Sequence, residues 1–226
     1  MNVISTLCPS LDTLLDGGIE RKTITQIYGE SATGKTNICL QIAKSVLINN
    51  KKVIYIDTES GLSIVRLYQV FSNSFDSFME NMIIIELDVF ESLCNTVQSL
   101  KKIVDERFDL IIVDSIASLY RLECTSLEER LLMGKELAKI LAVLTGIAKH
   151  KNIAVVVTNQ VYEDINTNTL EPIGGASIKY WSKNIIELLK SKDCTTRTAK
   201  LIRHRFLAPN ASIVFKITER GIESER

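Results

Sequence analysis

The 226-residue chain balances 27 Lys and Arg against 27 Asp and Glu, with 46% hydrophobic residues. That suits one α/β domain with a full-sized core and removes the simplest charge argument for a nucleic-acid partner. No apolar run approaches the roughly 20 residues that span a bilayer, and the N-terminus lacks a basic-then-apolar secretory pattern, so the chain reads as cytoplasmic with no membrane partner. The five cysteines (Cys8, Cys39, Cys94, Cys124, Cys194) are odd in number and include no C-x-x-C pair, which argues against a zinc site or a disulfide framework.

The run Thr23-Ile24-Thr25-Gln26-Ile27-Tyr28 is β-branched and aromatic and predicts a strand, and Asn37 to Asn49 places apolar residues at helical spacing. Between them Gly29-Glu30-Ser31-Ala32-Thr33-Gly34-Lys35-Thr36 fits G-x-x-x-x-G-K-[ST] in the strand, loop and helix order that gives this pattern its mechanism. The glycines let backbone N–H groups turn onto a β-phosphate, and the helix N-terminus adds partial positive charge. Lys35 reaches the β- and γ-phosphates, Thr36 offers its hydroxyl to Mg²⁺, and the ATP-contacting run is taken as Gly29 through Asn37.

Further along, Lys52 to Asp57, Met82 to Glu86, Leu110 to Asp114 and Ile153 to Asn159 are nearly continuous apolar runs and predict buried parallel strands. Leu62 to Ser72, Glu91 to Arg107 and Leu127 to His150 have helical spacing, so strands and helices alternate as in a wound parallel sheet covered on both faces. Three strand ends carry candidate chemistry. Asp114 stands where a carboxylate sits beside a nucleotide's Mg²⁺, Glu59 follows a strand where it can orient water toward a γ-phosphate, and Gln160 can report that phosphate to the segment after it. For Glu59 the other reading is a solvated acid at a strand end. The segment Val161 to Ile173, closing at Gly174-Gly175, is expected to be a mobile loop with a glycine hinge.

After Trp181 the texture changes to Asn184 to Lys190, Thr198 to His204 and Ser212 to Thr218, which predict an antiparallel meander extending the sheet. Glu223 to Arg226 are expected to fray. From Lys179 onward there are eleven Lys or Arg against five Asp or Glu, so this segment is +6 and the rest −6. Either a basic face or a scattered solvated surface accounts for that.

The joint pattern resembles the RecA/RadA strand-exchange recombinases, and among them the short archaeal paralogues. The matching segments are Leu11 to Gly18, Gly29 to Thr36, Tyr55 to Glu59, Val113 to Arg121, Thr158 to Val161, Gly174-Gly175 and Phe215 to Ile222, in family order over almost the whole chain. The resemblance implies a RecA-type P-loop NTPase core, mostly a parallel twisted sheet flanked by helices with a C-terminal antiparallel meander, as one domain without the N-terminal helical DNA-binding domain of full recombinases. It implies ATP and Mg²⁺ as cofactors, with Lys35, Thr36 and Asp114 holding nucleotide and metal, Glu59 positioning water and Gln160 sensing the γ-phosphate. Arg66 matches an arginine that stacks on adenine, and Arg121 a DNA-loop arginine.

Two loops of this family contact DNA. The first, Ser118 to about Glu129, here carries Glu123, Glu128 and Glu129; the second, Val161 to Ile173, carries Glu163, Asp164 and Glu171 but no Lys or Arg. Acidic loops oppose phosphate binding. The basic alternative is Arg203-His204-Arg205, supported by Arg197 and Lys200. Two cations spaced by one on a strand share a face, open to DNA, to a neighbour's ATP as trans fingers, or to solvent alone.

The leading reading is an ATP-binding, weakly hydrolysing accessory of a main RadA-type recombinase in homologous recombination and DNA repair, with single-stranded DNA as nucleic-acid partner and a possible homo-oligomer. The alternatives are a DNA-stimulated ATPase with its own strand exchange, or a ring-forming regulatory ATPase of the circadian-clock type.

Overall fold

The computed structural model describes residues 2–123, 127–164, 169–191 and 195–225. In chain order the elements are β1 (Val3–Ile4), α1 (Pro9–Leu14), β2 (Ile19–Glu20), β3 (Ile24–Gly29), α2 (Lys35–Ile48), β4 (Lys52–Asp57), α3 (Ile64–Phe71), α4 (Phe75–Met79), β5 (Met82–Glu86), α5 (Phe90–Ile103), β6 (Phe108–Asp114), α6 (Ser118–Glu123), α7 (Leu127–Lys151), β7 (Ala154–Asn159), β8 (Val161–Asp164), β9 (Thr169–Pro172), α8 (Gly175–Trp181), β10 (Ser182–Lys190), β11 (Thr196–Arg203), β12 (Ser212–Thr218) and β13 (Gly221–Ser224).

Among the described residues, nine strands form one sheet in the order β13-β12-β11-β10-β3-β7-β6-β4-β5. From β10 to β5 every neighbouring pair is parallel, and β11, β12 and β13 continue it antiparallel. Alternation along the strands divides the core. On β6, Leu110 and Ile112 face α2, where they join Leu40, Leu47 and Phe215, while Ile111 and Val113 face α5 and α7, where they join Val97, Leu141 and Leu144. A sheet buried on both sides needs continuously apolar strands, which is why these runs were conspicuous. Fully burying one such leucine contributes about 1.5–3 kcal/mol.

The expected sheet and its two helical layers are present, with corrections at the margins. β10 joins β3 in parallel, so the antiparallel part begins one strand later than the composition suggested. The helix expected to reach Arg107 stops at Ile103, because Val104 is extended and the Asp105 carboxylate takes the Arg107 backbone N–H. Positions 161–164 and 169–172 pair as an antiparallel hairpin instead of forming a loop. Glu223 and Ser224, expected to fray, belong to β13 opposite Lys216 and Phe215, and Ser224 Oγ accepts the Ser10 N–H at 3.0 Å.

The topology fixes the place of chemistry. β3, β4, β6 and β7 end in Gly29, Asp57, Asp114 and Asn159, all at one edge of the parallel sheet, where ligands bind in such folds.

Candidate nucleotide site

The phosphate loop leaves β3 at Gly29 and enters α2 at Lys35. Its shape needs glycine at two points. A Cβ on Gly29 would lie 2.4 Å from the Leu188 carbonyl oxygen on β10, and Gly34, left-handed at φ 101°, would carry one 3.0 Å from Ile217 on β12. Gly34 caps α2 without a side-chain partner, so the free N–H groups of the first turn face the loop. Lys35 Nζ donates to the carbonyls of Gly29 and Glu30, each at 2.8 Å. Burial pushes its pKa down, opposed by the carboxylates of Glu59 and Asp114.

Asp114 is the hub of the next layer. Its Oδ2 accepts from Thr36 Oγ1 at 2.7 Å and from Tyr55 OH at 2.6 Å, and its Oδ1 accepts from Thr158 Oγ1. Three hydroxyls on three elements therefore orient one buried carboxylate. Tyr55 and Thr158 were missed in the sequence, where both read as core. The available signal for Tyr55 is a phenol on an otherwise aliphatic strand, two residues before a strand-end acid. Burial, reinforced by Asp114, pushes the Tyr55 pKa well up, so the phenol remains a donor.

Glu59 stands on a turn pinned by Asp57, whose carboxylate accepts the N–H groups of Glu59 (3.0 Å) and Leu62 (2.9 Å). Thr58 ties the same turn to β6 by accepting the Ser115 N–H and donating to the Ser115 carbonyl. Gln160 Nε2 donates to Glu59 Oε1 at 2.9 Å. Gln160 is also the root of the β8–β9 hairpin: its carbonyl accepts the Ile173 N–H at 3.0 Å, and Asn159 Nδ2 holds the Ile173 carbonyl at 2.6 Å. Ser31, Ala32, Gly34, Lys35, Thr36, Asn37, Glu59, Asp114 and Gln160 line one cavity of about 160 Å³.

These residues fit a magnesium nucleotide by their donor set. A threonine hydroxyl and a carboxylate, hard oxygen donors, lie within hydrogen-bonding distance of one another, beside a lysine and an uncapped helix start. Arg66 bridges the first turn of α2 to the C-terminal strands. It donates to Asn37 Oδ1 at 2.7 Å and to the carbonyls of Thr218 and Glu219 in the β12–β13 turn.

The remaining cations are dispersed. Arg197 donates to the Ala32 carbonyl in the phosphate loop at 3.2 Å. Lys200 lies mid-strand opposite Glu187. Arg203 donates to the Lys179 carbonyl at 2.6 Å, and Arg205 pairs with Glu20 at 3.0 Å. The expectation that Arg203 and Arg205 share one strand face fails, because β11 ends at Arg203 and the chain turns, with His204 Nδ1 accepting the N–H groups of Phe206 and Leu207. Along β11 itself, Arg197 stands near the first residue and Arg203 at the last. The Arg121 side chain lies outside the described residues, as do those of the acidic positions Glu123, Glu128, Glu129, Glu163 and Asp164.

Comparison with known proteins places this geometry. The family model described as Rad51 matches residues 1–225. The DNA repair and recombination protein RadB of Methanosphaera stadtmanae is 44% identical over 217 residues, 94% of this chain and 92% of that protein. RadB of Thermococcus sibiricus is 42% identical over 224 residues, 98% and 95% of the two chains. A crystal structure of the RadB recombinase superposes with a TM-score of 0.83 at 35% identity, covering 99% of this chain and 100% of the other. The short archaeal paralogues to which the motifs pointed are thus its relatives in sequence and in fold. Among the described residues, no helix is long and apolar enough to cross a membrane, and no group of three or more His, Cys, Asp or Glu is arranged to hold a metal.

Proposed function

The chain belongs to the Rad51 family, and on that premise we propose that it is an ATP-binding, slowly hydrolysing recombinase paralogue that binds DNA and assists a main RadA-type recombinase in homologous recombination and repair. The relatives carry DNA repair and recombination in their names, which supports the process. The ATP reading is supported by the convergence of Lys35, Thr36, Asp114, Glu59 and Gln160 around one cavity.

Bound MgATP supplies the γ-phosphoryl group whose transfer to water is the reaction. Lys35 and the first turn of α2 bind phosphate, and Thr36 with Asp114 holds the cation. Glu59 orients the attacking water and receives its proton. Tyr55 and Thr158 keep the Asp114 oxygens aimed.

One observation carries the accessory role: the 2.9 Å hydrogen bond from Gln160 to Glu59, at the root of a hairpin that contains acids and no Lys or Arg. A change at the phosphate end would thereby reach a segment whose composition is ill suited to gripping DNA on its own. ATP acts on this reading as a conformational signal more than as fuel. The test measures affinity for single-stranded DNA and for the cognate RadA-type recombinase with and without ATP, together with the ATPase rate. Nucleotide-dependent affinity with slow turnover that DNA barely raises is the expected result. If nucleotide changes neither affinity, the accessory reading fails; a many-fold rise in turnover with DNA would favour autonomous strand exchange.

A further inference from the structure

We propose that Arg197 is a positioning residue for the phosphate loop of its own protomer, so that the β10–β11 hairpin sets the shape of that loop. This rests on the nucleotide reading above and replaces the expectation that Arg197 contacts DNA or a neighbour's phosphate.

The loop is bordered at three successive points by three neighbouring strands, β10, β11 and β12. Gly29 pairs with Leu188 of β10 with no room for a Cβ beside the Leu188 carbonyl, Ala32 is held by Arg197 of β11, and Gly34 leaves room for at most a tight Cβ beside Ile217 of β12. The outer two limit the space for a side chain, and the middle one is a hydrogen bond from a charged donor. It falls where the backbone needs it most. Ala32 has φ 62°, a left-handed conformation unfavourable for an L-residue, which persists only where the surroundings enforce it. Arg197 Nε holds the Ala32 carbonyl at 3.2 Å. In a planar trans peptide the carbonyl and the following N–H point in opposite directions, so fixing this oxygen on Arg197 turns the Thr33 N–H away, across the loop. Thr33 Oγ1 donates to the Glu30 carbonyl at 2.8 Å and closes the same turn.

The arginine is itself firmly delivered. The hairpin is closed by Ser191 N to Thr196 O (3.2 Å), Ser191 Oγ to Thr196 O (2.9 Å) and Thr196 N to Ser191 Oγ (3.1 Å), and Arg197 NH1 also donates to the Thr196 carbonyl at 2.8 Å. Arg203 and Arg205 cannot substitute, because Arg203 lies six steps along the strand from Arg197, roughly 20 Å away, and Arg205 lies beyond it.

The test titrates a fluorescent ATP analogue (mant-ATP) into the full chain for wild type, Arg197→Ala, Arg197→Lys and Lys35→Ala. Affinity for a single-stranded oligonucleotide without nucleotide, the thermal unfolding midpoint and steady-state ATPase are measured alongside. Arg197→Ala is expected to weaken mant-ATP binding about tenfold, with the ATPase defect in KM, while Arg197→Lys, which retains one charged donor, recovers most of the loss. Oligonucleotide affinity and the unfolding midpoint should not follow that order. The proposal is overturned if Arg197→Ala binds mant-ATP like wild type, or if its loss is of nucleotide-free oligonucleotide affinity instead. Wild type binding no better than Lys35→Ala would bring down the nucleotide reading, and this proposal with it.

Discussion

The two ends of β11 carry arginines in opposite situations. At one end, Arg197 reaches a phosphate loop where Lys35, Thr36, Asp114, Glu59 and Gln160 gather around a single cavity. At the other, Arg203 is engaged by the Lys179 carbonyl, and just past the strand Arg205 pairs with the buried carboxylate of Glu20. The same residue type thus contacts the phosphate loop at one end of the strand and scaffold groups at the other. Net charge by segment cannot make that distinction, whereas strand direction and register make it at once.

The contrast is broken most directly at Lys35. Lys35→Ala should lower ATP affinity on the order of 100-fold, while Arg203→Ala changes it by less than about twofold, as read by nucleotide titration. A large effect of Arg203→Ala would erase the division between the ends. Next, Glu59→Gln should reduce kcat by roughly 100-fold while leaving nucleotide binding nearly intact. Loss of binding in that variant would reassign Glu59 from water to nucleotide.

Stability measurements sharpen the same picture. Gly29→Ala forces a Cβ against the Leu188 carbonyl and should cost about 1–3 kcal/mol in urea unfolding, because a backbone oxygen has little room to yield. At the opposite end, Arg205→Ala removes the cation paired with the buried Glu20, leaving the Asn184 amide at 3.4 Å, and should cost about 1–2 kcal/mol without altering ATP affinity. A drop in DNA affinity with unchanged stability would show that Arg205 is spare for DNA.

The smallest effect is set by pH. Burial lowers the His204 pKa from its ordinary 6.5, and its neutral ring accepts two backbone N–H groups. The unfolded chain therefore binds the proton more tightly. Stability is fully present above about pH 6.5 and declines as pH falls through that value toward the folded pKa. Urea midpoints at pH 7.5 and 5.5 should show a slight loss that His204→Gln reduces.

Much of the central sheet was legible because parallel strands buried on both faces are apolar throughout: Lys52–Asp57 has the boundaries its composition implied, and so does Met82–Glu86, although it is the edge strand and its Ile83 is exposed instead of buried as expected. The phosphate loop and its strand-end companions were legible because glycine and acid positions at such ends have few structural uses. What escaped notice depends on distant partners. β1 and β2 are two residues each and exist through each other, β13 exists through β12, and the β8–β9 hairpin has no glycine to announce its turn. Tyr55 looked like core because its ring is core; only its hydroxyl belongs to the site.

The bordering of the phosphate loop by β10, β11 and β12 also has a meaning in time. Residues 29–36 are translated early, but the strands that border Gly29, Ala32 and Gly34 lie between positions 182 and 218, and Gln41 of α2 bonds the backbone of Ile222. During synthesis the loop therefore emerges long before the strands that shape it. Nucleotide affinity should appear abruptly, once the chain has been made through β13.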